Sequence, residues 1–145
     1  MVGVYSKQKQ VSIGVFRVTL DVTFTILGEP ASKANSRRLV SFGKRPALIK
    51  SQKALDYGKS FIAQCHGLVP EVVTCDVSVE MLIIYSSRRP DLDESLILDL
   101  MQGVVYANDR QVKERHTYWG LDKENPRTII RVRECRGEIP DYLKP

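Results

Sequence analysis

Two arginines, a proline and two carboxylates stand together at Arg88-Arg89-Pro90-Asp91-Leu92-Asp93. An apolar run with strand-like alternation precedes them, and one with helical spacing follows. Pro90 biases Arg89 towards extended backbone, and extended residues two apart point the same way. Asp91 and Asp93 are therefore expected to converge. Crowded carboxylates repel unless a cation stands between them, and a hard divalent ion with oxygen ligands does this. The competing reading is plainer: Asp93 is a favoured N-cap for the helix that follows. A third carboxylate, Asp109, lies in a polar turn beyond that helix. A ten-residue helix is about 15 Å long, so a segment returning along it would bring Asp109 back towards the pair. Three acids suit metal-assisted phosphodiester hydrolysis, in which the ion acidifies a bound water and offsets charge on the phosphoryl oxygens.

The charge distribution fits such a substrate. The net charge is +5, but eight Lys or Arg between residues 33 and 59 face one acid, Asp56, so that stretch carries +7 and the rest −2. A basic stretch set against an acidic cluster suits a protein that holds polyanionic backbone, although a solvated charged face has the same composition. Three cysteines, Cys65, Cys75 and Cys135, are an odd number without C-x-x-C spacing, which indicates neither a disulfide framework nor a zinc site. No apolar run reaches the roughly 18 residues of a membrane span, and residues 1–14 lack the apolar core of a signal peptide. The expectation is a cytoplasmic protein with no membrane partner and no small-molecule cofactor.

At 145 residues the chain is expected to form one domain. Residues 15–27 alternate apolar and polar as one long strand with a buried face. Residues 31–46 read as a basic loop, with a short hairpin around Leu39-Val40. A helix is expected from Ser51, its N-cap, to Gly67, its stop, with Ala54, Tyr57, Phe61, Ile62 and Cys65 inward. His66 at its end reads as structural. Residues 76–85, apolar on both faces near their end, read as a central strand. A helix of nine or ten residues follows Asp93 and ends at Gly103. Residues 110–119 and 128–135 read as an antiparallel hairpin with Ile130 and Val132 inward. The fold expected is α+β, ordered β-α-β-α-β-β, a mixed sheet packed against two helices. It occupies 15–136, with 1–14 a flexible lead-in or subunit-contact arm and 137–145 a loose tail.

The run Arg89-Pro90-Asp91-Leu92-Asp93, then Asp99-Leu100-Met101-Gln102-Gly103-Val104-Val105-Tyr106-Ala107-Asn108-Asp109-Arg110-Gln111-Val112, resembles the signature of the RusA family of Holliday junction resolvases. Gly28-Glu29-Pro30-Ala31-Ser32-Lys33 resembles that family's early G-x-P-x-S-K element. The likeness spans most of residues 15–135, and its specific part is 88–112. It implies a RusA-like endonuclease dependent on Mg2+, with Mn2+ as the alternative ion. Such an enzyme acts as a homodimer on four-way DNA junctions in recombination, repair or phage DNA processing. By motif match, Asp91, Asp93 and Asp109 take the metal-binding positions. A two-fold dimer would supply the two sites that symmetric cutting needs. There are three departures. Glu94 stands where the family usually has Asn, and Asn108 where it often has Asp. Ile97 stands where the family carries a catalytic Lys, and the Asp93-to-Asp99 spacing is two residues shorter, which rotates a helix by about 200°. The missing cation is expected from Arg88, Arg89, Arg110, Lys113 or the basic loop. The alternative is a branched-DNA-binding protein of the same fold with weakened or lost catalysis.

Asp99 reads as a surface residue at a family position, and His116 as a packed or solvated side chain. Tyr118 and Trp119 read as packing residues, with base stacking the less favoured role. A DxD nucleotide-sugar transferase is set aside, because the chain has neither the length nor the α/β alternation. Lys33, Arg37, Arg38, Lys44 and Arg45, with Arg89 and Arg110, are the expected phosphate contacts, which position DNA without reading its sequence. Joint substitution of Arg37, Arg38 and Arg45 by alanine should weaken junction binding. It should also flatten the slope of log affinity against log salt by about 0.9 for each phosphate no longer neutralised. An unchanged slope in a fluorescence-anisotropy titration would remove these residues from the DNA face.

Overall fold

The computed structural model describes residues 6–9, 16–31, 37–42 and 45–145, with side chains described at 20–31 and 51–145. In chain order the elements are β1 (Ser6–Lys9), β2 (Phe16–Thr19), β3 (Asp21–Leu27), β4 (Arg37–Phe42), β5 (Arg45–Lys50), α1 (Gln52–Cys65), β6 (Val77–Tyr85), α2 (Ser95–Met101), β7 (Val112–Leu121) and β8 (Arg127–Glu134). Single 3-10 turns lie at Asp109–Gln111 and Asp141–Leu143. The main sheet has the order β3-β8-β6-β7. β8 pairs antiparallel with β3 and with β6, whereas β7 pairs parallel with β6. The result is an α+β domain with a mixed four-stranded sheet and two helices.

Alternation in the sequence selects the buried face. Val22, Phe24 and Ile26 of β3, Ile130 and Val132 of β8, and Val77, Val79, Met81, Ile83 and Tyr85 of β6 all enter one core. Ala54, Tyr57, Phe61 and Cys65 of α1 and Leu96, Ile97, Leu98 and Met101 of α2 close it from the other side. Burying an aliphatic or aromatic side chain is worth about 1.5–3 kcal/mol, so this face dictates register. The expected α1 forms over the span read, with Ala54, Tyr57, Phe61 and Cys65 inward, but Ile62, one step of about 100° round the helix from Phe61, is exposed and not in the core. The Ser51 hydroxyl accepts from the Ala54 amide at 3.2 Å, and His66 occupies the C-cap. Burial raises the Cys65 thiol to about 11, while Cys75 is exposed.

Five expectations change. The strand read at 15–27 breaks at Leu20 into β2, which pairs with β1, and β3, which joins the main sheet. Of the arm read at 1–14, residues 6–9 are β1, and the others lie outside the described residues. The basic loop contains a full hairpin, β4 paired with β5 over six residues each. α2 has seven residues rather than nine or ten, because the backbone turns at Gln102. Finally, β7 and β8 are not a hairpin. β8 inserts between β3 and β6, since its alternate apolar residues and two hydrogen-bonding edges are satisfied by a partner on each side. That leaves β7 to pair parallel with β6 at the edge. No helix among the described residues is long and apolar enough to cross a membrane.

The sheet face away from the helices is closed by side-chain pairs. Arg131 meets Asp21 at 2.9 Å, Arg133 meets Glu80, and His116 meets Glu114 at 2.8 Å. The Arg131 guanidinium beside Asp21 holds its carboxyl below the ordinary 3.8 despite partial desolvation. A lowered folded-state value contributes stability above the unfolded pKa, and this is lost as pH falls through the folded value. Asp21→Asn should therefore make urea-unfolding stability less dependent on pH below about pH 4, with the wild type losing more on acidification. Equal acid slopes for the two proteins would contradict this.

Candidate active-site cleft

Parallel strands cannot be joined by a tight turn, so the chain must travel back from the end of β6 to the start of β7. Residues 86–111 make this return, and they run along β7 in the opposite direction. The Trp119 indole donates to the Pro90 carbonyl at 3.4 Å. Further along, Arg115 pairs with Glu94 at 3.5 Å. At the start of β7, Ser95, Leu98 and Asp99 of α2 meet Val112, Lys113 and Arg115 across a polar cleft of about 390 Å3, and Asp109 completes its lining.

The loop leaving β6 is tied at several points. The Tyr85 hydroxyl donates to the Asp91 carbonyl at 3.2 Å and accepts from the Asp93 amide at 3.3 Å. Glu29, from the early turn, accepts from the Ser86 hydroxyl at 3.0 Å, joining the 28–31 segment to the end of β6. Burial raises the Tyr85 phenol, the bond from the Asp93 amide opposes this, and the charges of Asp93, Glu29 and Glu94 add to the rise. The charges of those three carboxyl groups thus act on one buried phenol.

Asp109 is held more firmly than its exposure implies. α2 ends where Gly103 takes a φ of 81°, a conformation that costs glycine nothing. Tyr106, fully buried, donates to the Leu98 carbonyl and pins the turn beneath the helix. Burial raises the Tyr106 phenol, and the charges of Asp109 and Asp99 raise it further, which places both acids near one hydroxyl. Asn108 and Gln111 form a reciprocal cap: Asn108 accepts from the Arg110 amide at 2.9 Å, and Gln111 accepts from the Asn108 amide at 2.7 Å. The Gln111 amide then donates to the carbonyls of Val73 and Cys75. The Asp109 amide donates to Gln102 at 3.1 Å. Asn108-Asp109-Arg110-Gln111 is thus a braced turn that presents one carboxylate.

Lys113 enters the cleft through a β-bulge. Val77 pairs with Val112, but Ser78 pairs with Glu114, so Lys113 has no partner on β6. An extra residue of this kind re-aims neighbouring side chains. It brings Val112, Lys113 and Arg115 to one cleft, although strict alternation would separate Val112 from the other two.

The residues expected from the sequence are only partly gathered. Asp109 and Lys113 line the cleft together. Asp91 is exposed on the loop, and Asp93 is half-buried with its carboxylate accepting from the amide and hydroxyl of Ser95. The N-cap of α2 is Glu94 and not Asp93 as read, and it makes no side-chain cap bond; the bond from the Ser95 amide to Asp93 is a local turn before the helix. Among the described residues no three His, Cys, Asp or Glu side chains stand in an arrangement that could hold a metal ion. The three-acid set therefore does not stand assembled in this conformation. Arg88, Arg89 and Arg110 lie on the loop and in the 3-10 turn, with Arg110 exposed beside Asp109. Arg37, Arg38 and Arg45 fall on β4 and β5, but their side chains, and Lys33 and Lys44 entirely, lie outside the described residues. His116 pairs with Glu114 at the strand surface.

Asp99 and Arg115 carry little signal in the sequence. Asp99 reads there as a surface residue, and the turn that follows α2 is what brings Asp109 to the same cleft. Arg115 shares a face with Lys113 by simple alternation, but nothing in the sequence shows that this face of β7 meets α2. Ile97 is fully buried, so its position has no outlet for a catalytic cation. Two carboxylates, Asp99 and Asp109, line the cleft. No protein-family model matches the chain, and no curated protein matches it.

The bulge gives a direct test of Lys113. Deleting that residue would leave Val112 and Glu114 adjacent and in the same register with β6. The deletion should therefore fold like wild type by circular dichroism, yet, if the cleft is catalytic, lose its activity about as far as Lys113→Ala, on the order of 100-fold. Full activity in both variants would remove Lys113 from the site.

Proposed function

We propose that this chain is a metal-dependent endonuclease that hydrolyses phosphodiester bonds in branched DNA, four-way junctions foremost, as a homodimer. The observation that carries this reading is the cleft in which two carboxylates, Asp99 and Asp109, face two cations, Lys113 and Arg115. The motif resemblance and the basic stretch at 33–59 point the same way. Asp109 and Asp99 would hold Mg2+, or Mn2+, from the cleft. Asp91 and Asp93, on the loop that enters the cleft at Ser95, complete the set once DNA is bound. The ion supplies an acidified water and offsets charge at the phosphoryl oxygens. Arg115, kept in place by Glu94, orients a non-bridging oxygen with its guanidinium fork. Lys113 offsets the negative charge that grows in the transition state, the task of the lysine missing at Ile97.

A second reading, branched-DNA binding without cutting, is favoured by the three-acid group that does not stand assembled among the described residues. One assay separates the two: labelled four-way junction, Mg2+, and wild type beside Asp109→Asn and Asp91→Asn. Wild type should nick the junction symmetrically. Asp109→Asn should bind it and cut at least about 100-fold more slowly. Binding by wild type without cutting selects the second reading. Cutting that survives Asp109→Asn places the chemistry elsewhere, and cutting that survives Asp91→Asn alone confines it to the cleft.

A further inference from the structure

We propose that the outer edge of β7 is the surface on which two copies of this chain meet, paired antiparallel about a two-fold axis at Thr117. The inference rests on the dimer of the proposed function, but its test reads mass and not cleavage. β7 is ten residues long and ends the sheet, and among the described residues no strand pairs with its outer edge. Unpaired edges recruit further strands unless they are shortened, charged or covered. The other edge of the sheet is managed: Gln64 of α1 accepts from the Leu27 amide at 2.8 Å and donates to the Leu27 carbonyl at 3.0 Å. Among the described residues no such side-chain bond reaches the backbone of β7 at its second half. There Tyr118, Trp119 and Leu121 are 60%, 37% and 44% exposed.

The occupant follows from how the strand divides. Lys113, Glu114, Arg115 and His116 fill its first half, and Tyr118, Trp119, Gly120 and Leu121 its second. Antiparallel pairing about Thr117 sets each charged half of one copy against the apolar half of the other. Trp119 then faces Arg115 of the second copy, Leu121 faces Lys113, Tyr118 faces His116, and Thr117 faces itself. No like charges stand opposite, and the Arg–Trp pair is a favourable cation–aromatic contact. Moving the axis to Arg115 would set that arginine against itself. The pairing makes one eight-stranded sheet with both clefts on the same side. Their Arg115 residues would be about 13 Å apart along the strand direction, and Trp119 of the second copy would form a wall of each cleft.

The test uses charge reversal at the axis. Wild type should sediment as a dimer. Thr117→Lys and Thr117→Glu each place like charges face to face and should weaken the dimer about 100-fold, while an equimolar mixture of the two should recover dimer mass. In wild type, amide exchange across 112–121 should speed up on dilution, which tests the interface without any substitution. A wild type that is monomeric at its highest soluble concentration overturns the proposal. So does a Thr117→Glu variant that stays dimeric, a mixture no heavier than its components, or exchange that ignores dilution. A dimer that behaves as described but cuts no junction leaves this interface standing and refutes only the nuclease reading.

Discussion

The parallel pairing of β7 on β6 is the constraint from which the candidate site follows. β8 occupies one side of β6 in antiparallel register, and β7 must take the other. A parallel neighbour requires a crossover, and the crossover carries Asp91, Asp93, Glu94, Asp99 and Asp109 along the length of β7. Had β7 returned as a hairpin with β8, Lys113 and Arg115 would lie beside Arg127–Glu134 and not beside acids. The charge balance of the cleft is therefore a product of topology as much as of composition.

Rigid parts surround a less regular one. Tyr106, Gln111 and the Asn108 cap fix Asp109 from three directions, and the fully buried Ile97 and Met101 anchor α2 to the core. The 86–94 loop has no regular structure, and side-chain contacts to Tyr85, Glu29, Trp119 and Arg115 hold it. Two bonds from one phenol at 3.2 and 3.3 Å are each worth about 1 kcal/mol, so shifting this loop costs little compared with disturbing Asp109. Such a division suits a site whose floor is fixed and whose rim adjusts to a bulky polyanion.

Much of the fold is legible in the residues. Alternation at 21–27 and 128–134 marks the buried faces of β3 and β8, and Ser51 with Gly67 bounds α1 closely. The partner of β7 is not legible, because alternation specifies which face of a strand is buried but not which strand lies beside it. Nor is the length of α2: Leu96, Ile97, Leu98 and Met101 fit a longer helix equally well, and only the turn at Gln102 and Gly103 shortens it. In the site, Asp109 and Lys113 stand out by type and position. Asp99 and Arg115 do not, since their place in the cleft depends on α2 lying beside the start of β7, which neither helical spacing nor strand alternation specifies. The convergence of Asp91 and Asp93 assumes extended backbone, and the bond from Ser95 to Asp93 shows a local turn instead.

The central claim is that the cleft beside Asp109 is where the chemistry occurs. Anomalous scattering from a Mn2+-soaked crystal of the protein with a DNA junction bound tests it most directly. The account predicts a manganese peak within direct coordination distance of the Asp109 carboxylate, about 2.0–2.3 Å for a small hard cation with oxygen ligands. A junction bound in register with no such peak, or a peak coordinated without Asp109, would contradict it.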